Sequence, residues 1–224
     1  MDTIVIGASG GIGGALADRF EAQGDRVHRL SRAVGSIDLA DQASIAAAAQ
    51  AIPFGAVQRL VVATGLLHEA ELAPERSLRD LDAERLARSF LVNAIGPALV
   101  LRHFAPQLAR QGRVEVAMLS ARVGSIADNR LGGWYGYRAS KAALNQFVRT
   151  TAVELARSRR ESVVVALHPG TVDTAMSRPF QANVAADRLF TPQHSADCIA
   201  KVLARLTPTD SGGFLDWKGE AIPF

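Results

Sequence analysis

Short apolar runs at 3–6, 26–30, 59–63, 113–119 and 162–167 are rich in Val, Ile and Leu, and helical patterns separate them. A strand covered on both faces reads as an unbroken run of this kind, and strands that alternate with helices pair in parallel because each crossover occupies a helix. The helical stretches fall near 12–23, 41–51, 83–109, 137–157 and 192–206, with a last short strand near 213–216. This order predicts an α/β fold, a doubly wound parallel sheet with helices on both faces and a ligand crevice at the strand C-terminal ends. No repeat or low-complexity linker interrupts the series. The 224 residues, 48% of them hydrophobic, suit one domain over 1–224. Residues 171–191 mix Thr, Ser, Pro and Asn with scattered apolar side chains and read as an irregular flap over the ligand.

Charge and cysteine content narrow the function. The formal charge is +3 with dispersed basic residues, which gives no nucleic-acid footprint. The densest cluster, Arg157, Arg159 and Arg160, lies where a helix ends and where cations are favoured. The lone Cys198 excludes an internal disulfide and is compatible with a reducing compartment, so the cytoplasm is the expected location. The first residues lack the cationic flank and apolar core of a signal peptide, and no apolar stretch is long enough to span a bilayer. A soluble protein is expected, without a membrane or nucleic-acid partner.

The first apolar run leads directly into Gly7-Ala8-Ser9-Gly10-Gly11-Ile12-Gly13. Glycines let the backbone pass close to a phosphate, and the helix starting near Ile12 offers unpaired amides at its positive end. Such a turn after the first strand of a Rossmann-type sheet is where a dinucleotide pyrophosphate binds. After the second run comes His28-Arg29-Leu30-Ser31-Arg32, with no acidic residue to hold a ribose 2′-hydroxyl. Ser31 and Arg32 instead suit a 2′-phosphate, by hydroxyl and guanidinium fork, and predict NADP in preference to NAD.

Further along, WYGYRASKAAL contains Tyr137-x-x-x-Lys141. On a helix these side chains lie one turn apart on the same face. Carbonyl reduction by hydride needs a proton donor at the forming alkoxide, and a phenol with a pKa of about 10 serves only if its anion is stabilised. The Lys141 ammonium can do so, and Tyr137 is the acid/base. Tyr135 has Ala139 four residues on instead of a cation, and reads as a pocket-wall or packing aromatic.

Together these pieces resemble the short-chain dehydrogenase/reductase family, in particular its C-factor-like branch of small carbonyl reductases, over essentially the whole chain. The matching segments are Gly7-x-x-x-Gly11-Ile12-Gly13, Asp38-Leu39, Asn93 in FLVNAIGP, LSARVGS at 119–125, Tyr137-x-x-x-Lys141 and Pro169-Gly170-Thr171-Val172-Asp173-Thr174. The resemblance implies that Gly7, Ser9, Gly11, Ile12, Gly13, Asp38 and Leu39 line the cofactor. It implies that Lys141 also reaches the cofactor ribose beside Tyr137, and that Asn93 holds a backbone kink and a water linking Lys141 to solvent. Pro169-Gly170 would turn beneath the nicotinamide, with the Val172 backbone and Thr174 hydroxyl facing its carboxamide.

Two positions depart from the family pattern. Relatives commonly carry two serines where this chain has Ser120-Ala121, the second polarising the substrate carbonyl. Ser120 is the first candidate for that role and Ser125 the alternative. Where relatives have Asn-Asn-Ala-Gly, this chain has Ala63-Thr64-Gly65, which keeps the glycine and leaves Ala63 and Gly65 beside the cofactor.

Histidines at 28, 68, 103, 168 and 194 show no close metal-ligand spacing, so no metal is expected. Asp128 and the acidic residues at 69, 71 and 75 form no paired-carboxylate site and read as surface charges or loop caps, and no Gly-x-Ser-x-Gly or Walker-type loop is present. The leading expectation is an NADPH-dependent reductase of a small aldehyde, ketone or quinone-like carbonyl, with NAD as the secondary cofactor. The alternative is a nucleotide-binding regulatory or signalling protein with little turnover. The resemblance also implies a homodimer or homotetramer built on helices 83–109 and 137–157, where Ala142, Ala143, Phe147 and Thr151 offer a packing face.

Overall fold

The computed structural model describes residues 1–69, 72–182 and 184–224. Glu71, one of the acidic residues read above as surface charges or caps, lies outside them. The central sheet comprises β1 (Asp2–Ile6), β2 (Arg26–Leu30), β3 (Arg59–Val62), β4 (Val114–Leu119), β5 (Ser162–His168) and, later in the chain, a strand at Phe214–Asp216. A second, two-stranded parallel ribbon pairs β6 (Thr171–Val172) with β7 (Leu189–Phe190), which makes the Phe214–Asp216 strand β8. The six-stranded sheet is parallel throughout, in the order β2-β1-β3-β4-β5-β8.

Alternation along these strands feeds two cores. Ile4, Ile6, Leu60, Val62, Val116, Met118, Val164 and Ala166 point to one face, beneath α2 (Gln42–Gln50), α4 (Gly96–Phe104) and α5 (Tyr135–Leu155). Val5, Val61, Ala117, Leu119, Val163, Val165 and Leu167 point to the other, against α1 (Gly11–Ala22) and α6 (Pro192–Arg205). Period-two alternation with apolar residues on both sides is what a sheet covered on both faces demands. The doubly wound fold expected from the sequence is therefore present. Its order reverses between β1 and β3, the switch point at which such sheets open a crevice.

The single helix expected over 83–109 is divided. α3 (Ala83–Phe90) passes into a π-helical segment, Leu91–Ile95, before α4 begins. Asn93 sits inside the wide turn and is fully buried. Its amide turns outward to a neighbouring loop, a cause of local widening that periodicity does not reveal. The helix expected from 137 starts two residues earlier, at Tyr135. The flap is less irregular than expected, because the β6–β7 ribbon closes its two ends on each other.

Among the described residues, no helix is long and apolar enough to cross a membrane.

Candidate active site

At the switch point the chain leaves β1 through a tight turn. Gly7 has φ of 90°, a left-handed conformation that favours glycine, and its amide donates to the Leu30 carbonyl at 2.8 Å. A Cβ on Gly13 would collide with the Gly7 carbonyl oxygen, so the first turn of α1 lies directly against the loop. The N-cap of α1, Gly10, offers no side chain to the helix amides, which leaves the positive helix end open to an anion.

A cleft of about 410 Å³ opens beside this turn. Gly7, Ser9, Ser31, Arg32, Asp38, Leu39, Ala63 and Gly65 line it, so eight of the expected cofactor residues converge from the ends of β1, β2 and β3. Ser31 is buried at the wall and Arg32 exposed at the rim. Across the mouth, Arg88 holds Glu69 with Nε to Oε1 at 2.8 Å, which keeps the Glu69 carboxyl below the ordinary range. Asp38 accepts the Ala40 amide at 2.9 Å. The buried Thr64 hydroxyl on the cleft wall has no partner among the described residues. A dinucleotide fits this donor set: open amides for a pyrophosphate, a hydroxyl and guanidinium for a phosphate, and an unpaired wall hydroxyl.

Ile12 lies in the first turn of α1 between Gly11 and Gly13, while Pro169, Gly170, Val172 and Thr174 follow β5 into the flap. The Thr174 methyl lies 2.9 Å from where a Cβ on Gly11 would stand, so the flap packs directly on the glycine turn. Ser195 at the start of α6 donates to the Pro169 carbonyl at 2.8 Å and fixes the Pro169-Gly170 turn. Ser177 donates to the Val172 carbonyl at 2.5 Å, which uses one of that oxygen's two lone pairs.

The catalytic candidates meet where β3 and β4 end and α5 begins. Lys141 is buried, and its Nζ donates to the Leu119 carbonyl at 2.8 Å. A Cβ on Gly65 would stand 3.5 Å from Lys141 Nζ, 3.7 Å from Asn93 Oδ1 and 3.3 Å from Met176 Cε, so these groups surround one point. Asn93 accepts the Leu66 amide at 2.7 Å and donates to the Leu66 carbonyl at 2.8 Å and the Ser140 hydroxyl at 3.1 Å. Ser140 in turn donates to the Tyr137 carbonyl at 2.9 Å. Asn93 thus ties the loop after β3 to the first turn of α5. Lys141 Nζ is 5.9 Å from the centre of the Tyr137 ring.

Burial acts oppositely on the pair. It pushes the Tyr137 phenol up to about 12 and brings the Lys141 ammonium down to about 8. At neutral pH Lys141 is therefore a cation near a phenol that keeps its proton.

Neither serine turns its hydroxyl toward this pair. Ser120 donates to Asn145 Oδ1 at 2.6 Å, and Ser125 donates to the Pro223 carbonyl at 2.5 Å while accepting the Asp128 amide at 3.0 Å.

Several residues gain importance only from the structure. Glu75, read from the sequence as a surface charge or loop cap, is buried, and its carboxylate accepts the Gly136 amide in the first turn of α5 at 3.1 Å. This cap explains why α5 starts before Tyr137. His68, Met176 and Phe180 come from the loop after β3 and from the flap. Isolated as they are in sequence, they carry no spacing signal. Ser140 lies within the Tyr-Lys motif itself and was accessible to helical-face reasoning.

A sheet of this order with a glycine turn at its switch point and a Tyr-Lys pair beside it, the lysine buried, defines a nicotinamide-dependent oxidoreductase class. The family model described as short chain dehydrogenase matches residues 2–185, and the chain belongs to that family. It is 39% identical to the C-signal protein of Myxococcus xanthus over 149 residues, 66% of this chain and 84% of that protein. Among solved structures it superposes with TM-score 0.84 on an NADPH-bound carbonyl reductase from chicken fatty liver, at 24% identity, covering 100% of this chain and 98% of the other. A short-chain dehydrogenase/reductase from Burkholderia multivorans with bound NADP gives TM-score 0.76 at 25% identity, covering 100% of this chain and 99% of the other.

Proposed function

We propose that this oxidoreductase reduces a small aldehyde, ketone or quinone-like carbonyl with NADPH, Tyr137 being the acid. The observation that carries the reading is the convergence of Lys141 Nζ, Asn93 and Gly65 beside Tyr137. NADPH supplies the hydride when bound. Gly7, Ser9, Gly11, Ile12 and Gly13 would hold its pyrophosphate, and Ser31 and Arg32 its 2′-phosphate. Asp38, Leu39 and Ala63 would line the adenine side and Gly65 the passage toward Lys141, with Pro169, Gly170, Val172 and Thr174 at the nicotinamide end.

Within the chain, Tyr137 delivers its proton to the carbonyl oxygen as negative charge develops there. Lys141 would stabilise the resulting phenolate and hold the cofactor ribose, and Asn93 keeps the loop after β3 against α5 so that a water can return a proton to Lys141. Alcohol oxidation is the same path in reverse. With Ser120 and Ser125 both engaged elsewhere, neither hydroxyl is given the polarising role. The bound NADPH and NADP of the fold neighbours support the choice of cofactor.

NADPH consumption over a carbonyl panel, with Tyr137→Phe beside the parent chain, tests the reading. Turnover lost in the variant sustains it, whereas equal turnover in both ends it. Comparing NADPH with NADH affinity, and repeating with Arg32→Glu, tests the cofactor assignment. Preference for NADH in the parent chain would overturn it.

A second reading is a cofactor-binding signalling protein in the cytoplasm. The engaged serine hydroxyls and the similarity to a protein called C-signal favour it. Biological activity that survives Tyr137→Phe would select this reading. Under either, a homodimer or homotetramer is expected across the helical segments within 83–109 and α5, where Ile95, Phe147 and Val153 are 43%, 40% and 51% exposed. A monomeric mass at micromolar concentration would remove that expectation.

A further inference from the structure

The N-cap of the catalytic helix is Trp134, with φ of 54° and ψ of 42°. Among the described residues it alone, apart from glycines, has a positive φ. A bulky side chain adopts this region only at a cost, so the surroundings must impose it. They do so from two sides. The Trp134 amide donates to the Glu75 carbonyl at 2.6 Å, while the Glu75 carboxylate takes the Gly136 amide at 3.1 Å. Arg138 Nε donates to the carbonyls of Gly133 at 2.9 Å and Gly132 at 3.2 Å, bracing the corner that precedes Trp134. Gly136 permits the close approach of Glu75, because a Cβ there would stand 2.8 Å from Oε1.

The strained conformation brings the indole against the proton donor. The Trp134 and Tyr137 rings meet edge to face at 6.3 Å, and Trp134 meets Phe180 of the flap in the same manner at 5.2 Å. Phe180 continues to His68 at 5.7 Å, and His68 Nε2 lies 3.2 Å from the Met176 carbonyl. The loop after β3, the start of α5 and the flap each contribute a ring to one wall beside Tyr137. Few aromatics are available for this, since Phe, Trp and Tyr make up only 6% of the chain.

We propose that Trp134 is the specificity-determining residue of the substrate site, held there by Glu75, and that it selects carbonyl compounds bearing a flat aromatic or conjugated substituent. The proposal rests on the reductase reading. Any carbonyl delivered to the Tyr137 hydroxyl places its substituent alongside this wall. A flat π-system offers faces and edges that complement the rings, whereas a saturated ring of equal size offers dispersion alone. Glu75 acts through Trp134 and is a positioning residue.

Benzaldehyde and cyclohexanecarbaldehyde, equal in carbon count and different in flatness, are the probes. Because intrinsic reactivity cancels between proteins, the quantity to compare is the ratio of their kcat/KM values. In Trp134→Ala the ratio of benzaldehyde to cyclohexanecarbaldehyde is expected to fall about tenfold, through KM. Trp134→Phe should restore most of it. Glu75→Gln, which keeps an acceptor for Gly136, should retain the ratio, and Glu75→Ala should lose it while remaining folded by its melting curve. An unchanged ratio in Trp134→Ala overturns the proposal and leaves the reductase reading standing. The chain has two tryptophans, so Trp134 fluorescence can be followed alone in Trp217→Phe. Selective quenching by benzaldehyde without turnover of either aldehyde would sustain the wall and count against the reductase reading. Equal quenching by both would overturn the wall.

Discussion

The Ser120 hydroxyl donates to Asn145 Oδ1 at 2.6 Å, one helical turn beyond Lys141 and away from Tyr137. The strand-end hydroxyl therefore fastens β4 to α5, and the next position, Ala121, has none to offer. Ala121→Ser is expected to raise turnover of a carbonyl substrate about tenfold by adding a donor at the developing oxyanion. Ser120→Ala should leave kcat within about twofold and cost about 1 kcal/mol of stability, measured by denaturant unfolding. A hundredfold loss of kcat in Ser120→Ala would instead return the polarising role to Ser120.

The rate of carbonyl reduction should respond to pH through Lys141. The phenol, raised to about 12, keeps its proton across the working range. The ammonium, lowered to about 8 by burial, loses its charge as pH rises through that value and ceases to stabilise the phenolate. kcat/KM for reduction is expected to be level below about pH 8 and to decline above it. A profile that stays level to pH 10 would exclude this role.

At the opposite end of the sheet, Glu115 lies buried between two arginines, with Arg59 Nε at 2.7 Å and Arg113 Nε at 2.8 Å. Arg59 also reaches Asp25 at 2.6 Å, and Arg113 takes the carbonyls of Leu203 and Leu206 at the end of α6. Glu115→Gln leaves Arg59 with Asp25 alone and Arg113 without its carboxylate, and is expected to cost about 2 kcal/mol without altering cofactor affinity. Chemical denaturation and NADPH titration separate the two effects.

His168 ends β5 with its Nδ1 buried and unpartnered among the described residues. Burial first, and Arg122 second, lower its pKa to about 4, partly opposed by Asp216. The unfolded chain binds a proton at His168 below about pH 6.5 that the folded chain refuses until about pH 4, so stability falls as pH drops through that window. A loss of about 2 kcal/mol is expected after allowing for the ring's residual exposure, and His168→Gln should flatten the melting temperature against pH there.

Much of this molecule was readable beforehand because its determinants are local. The runs around Ile4, Val61, Val116 and Val164 announce buried strands, and Tyr137-x-x-x-Lys141 places its two groups on one helix face without tertiary knowledge. The π-helical turn at Asn93 depends on Leu66 and Ser140, and the early start of α5 depends on Glu75. Each of these arises from contacts between segments far apart in the chain. The aromatic wall was illegible for the same reason, since Trp134, His68 and Phe180 share no spacing and meet only once the sheet has assembled.

The wide turn at Leu91–Ile95 also acts as a phase change. A residue advances an α-helix by about 100°, so one additional residue within a turn rotates everything beyond it by roughly that amount. Arg88 before it and Val92 at its start face the cofactor cleft, while downstream Val100, Leu101 and Phe104 face the core. A regular helix would force one of these two stripes off its target. The insertion lets a single rod serve as rim and as buttress, which makes the length of this segment, as much as its composition, a quantity the fold has to preserve.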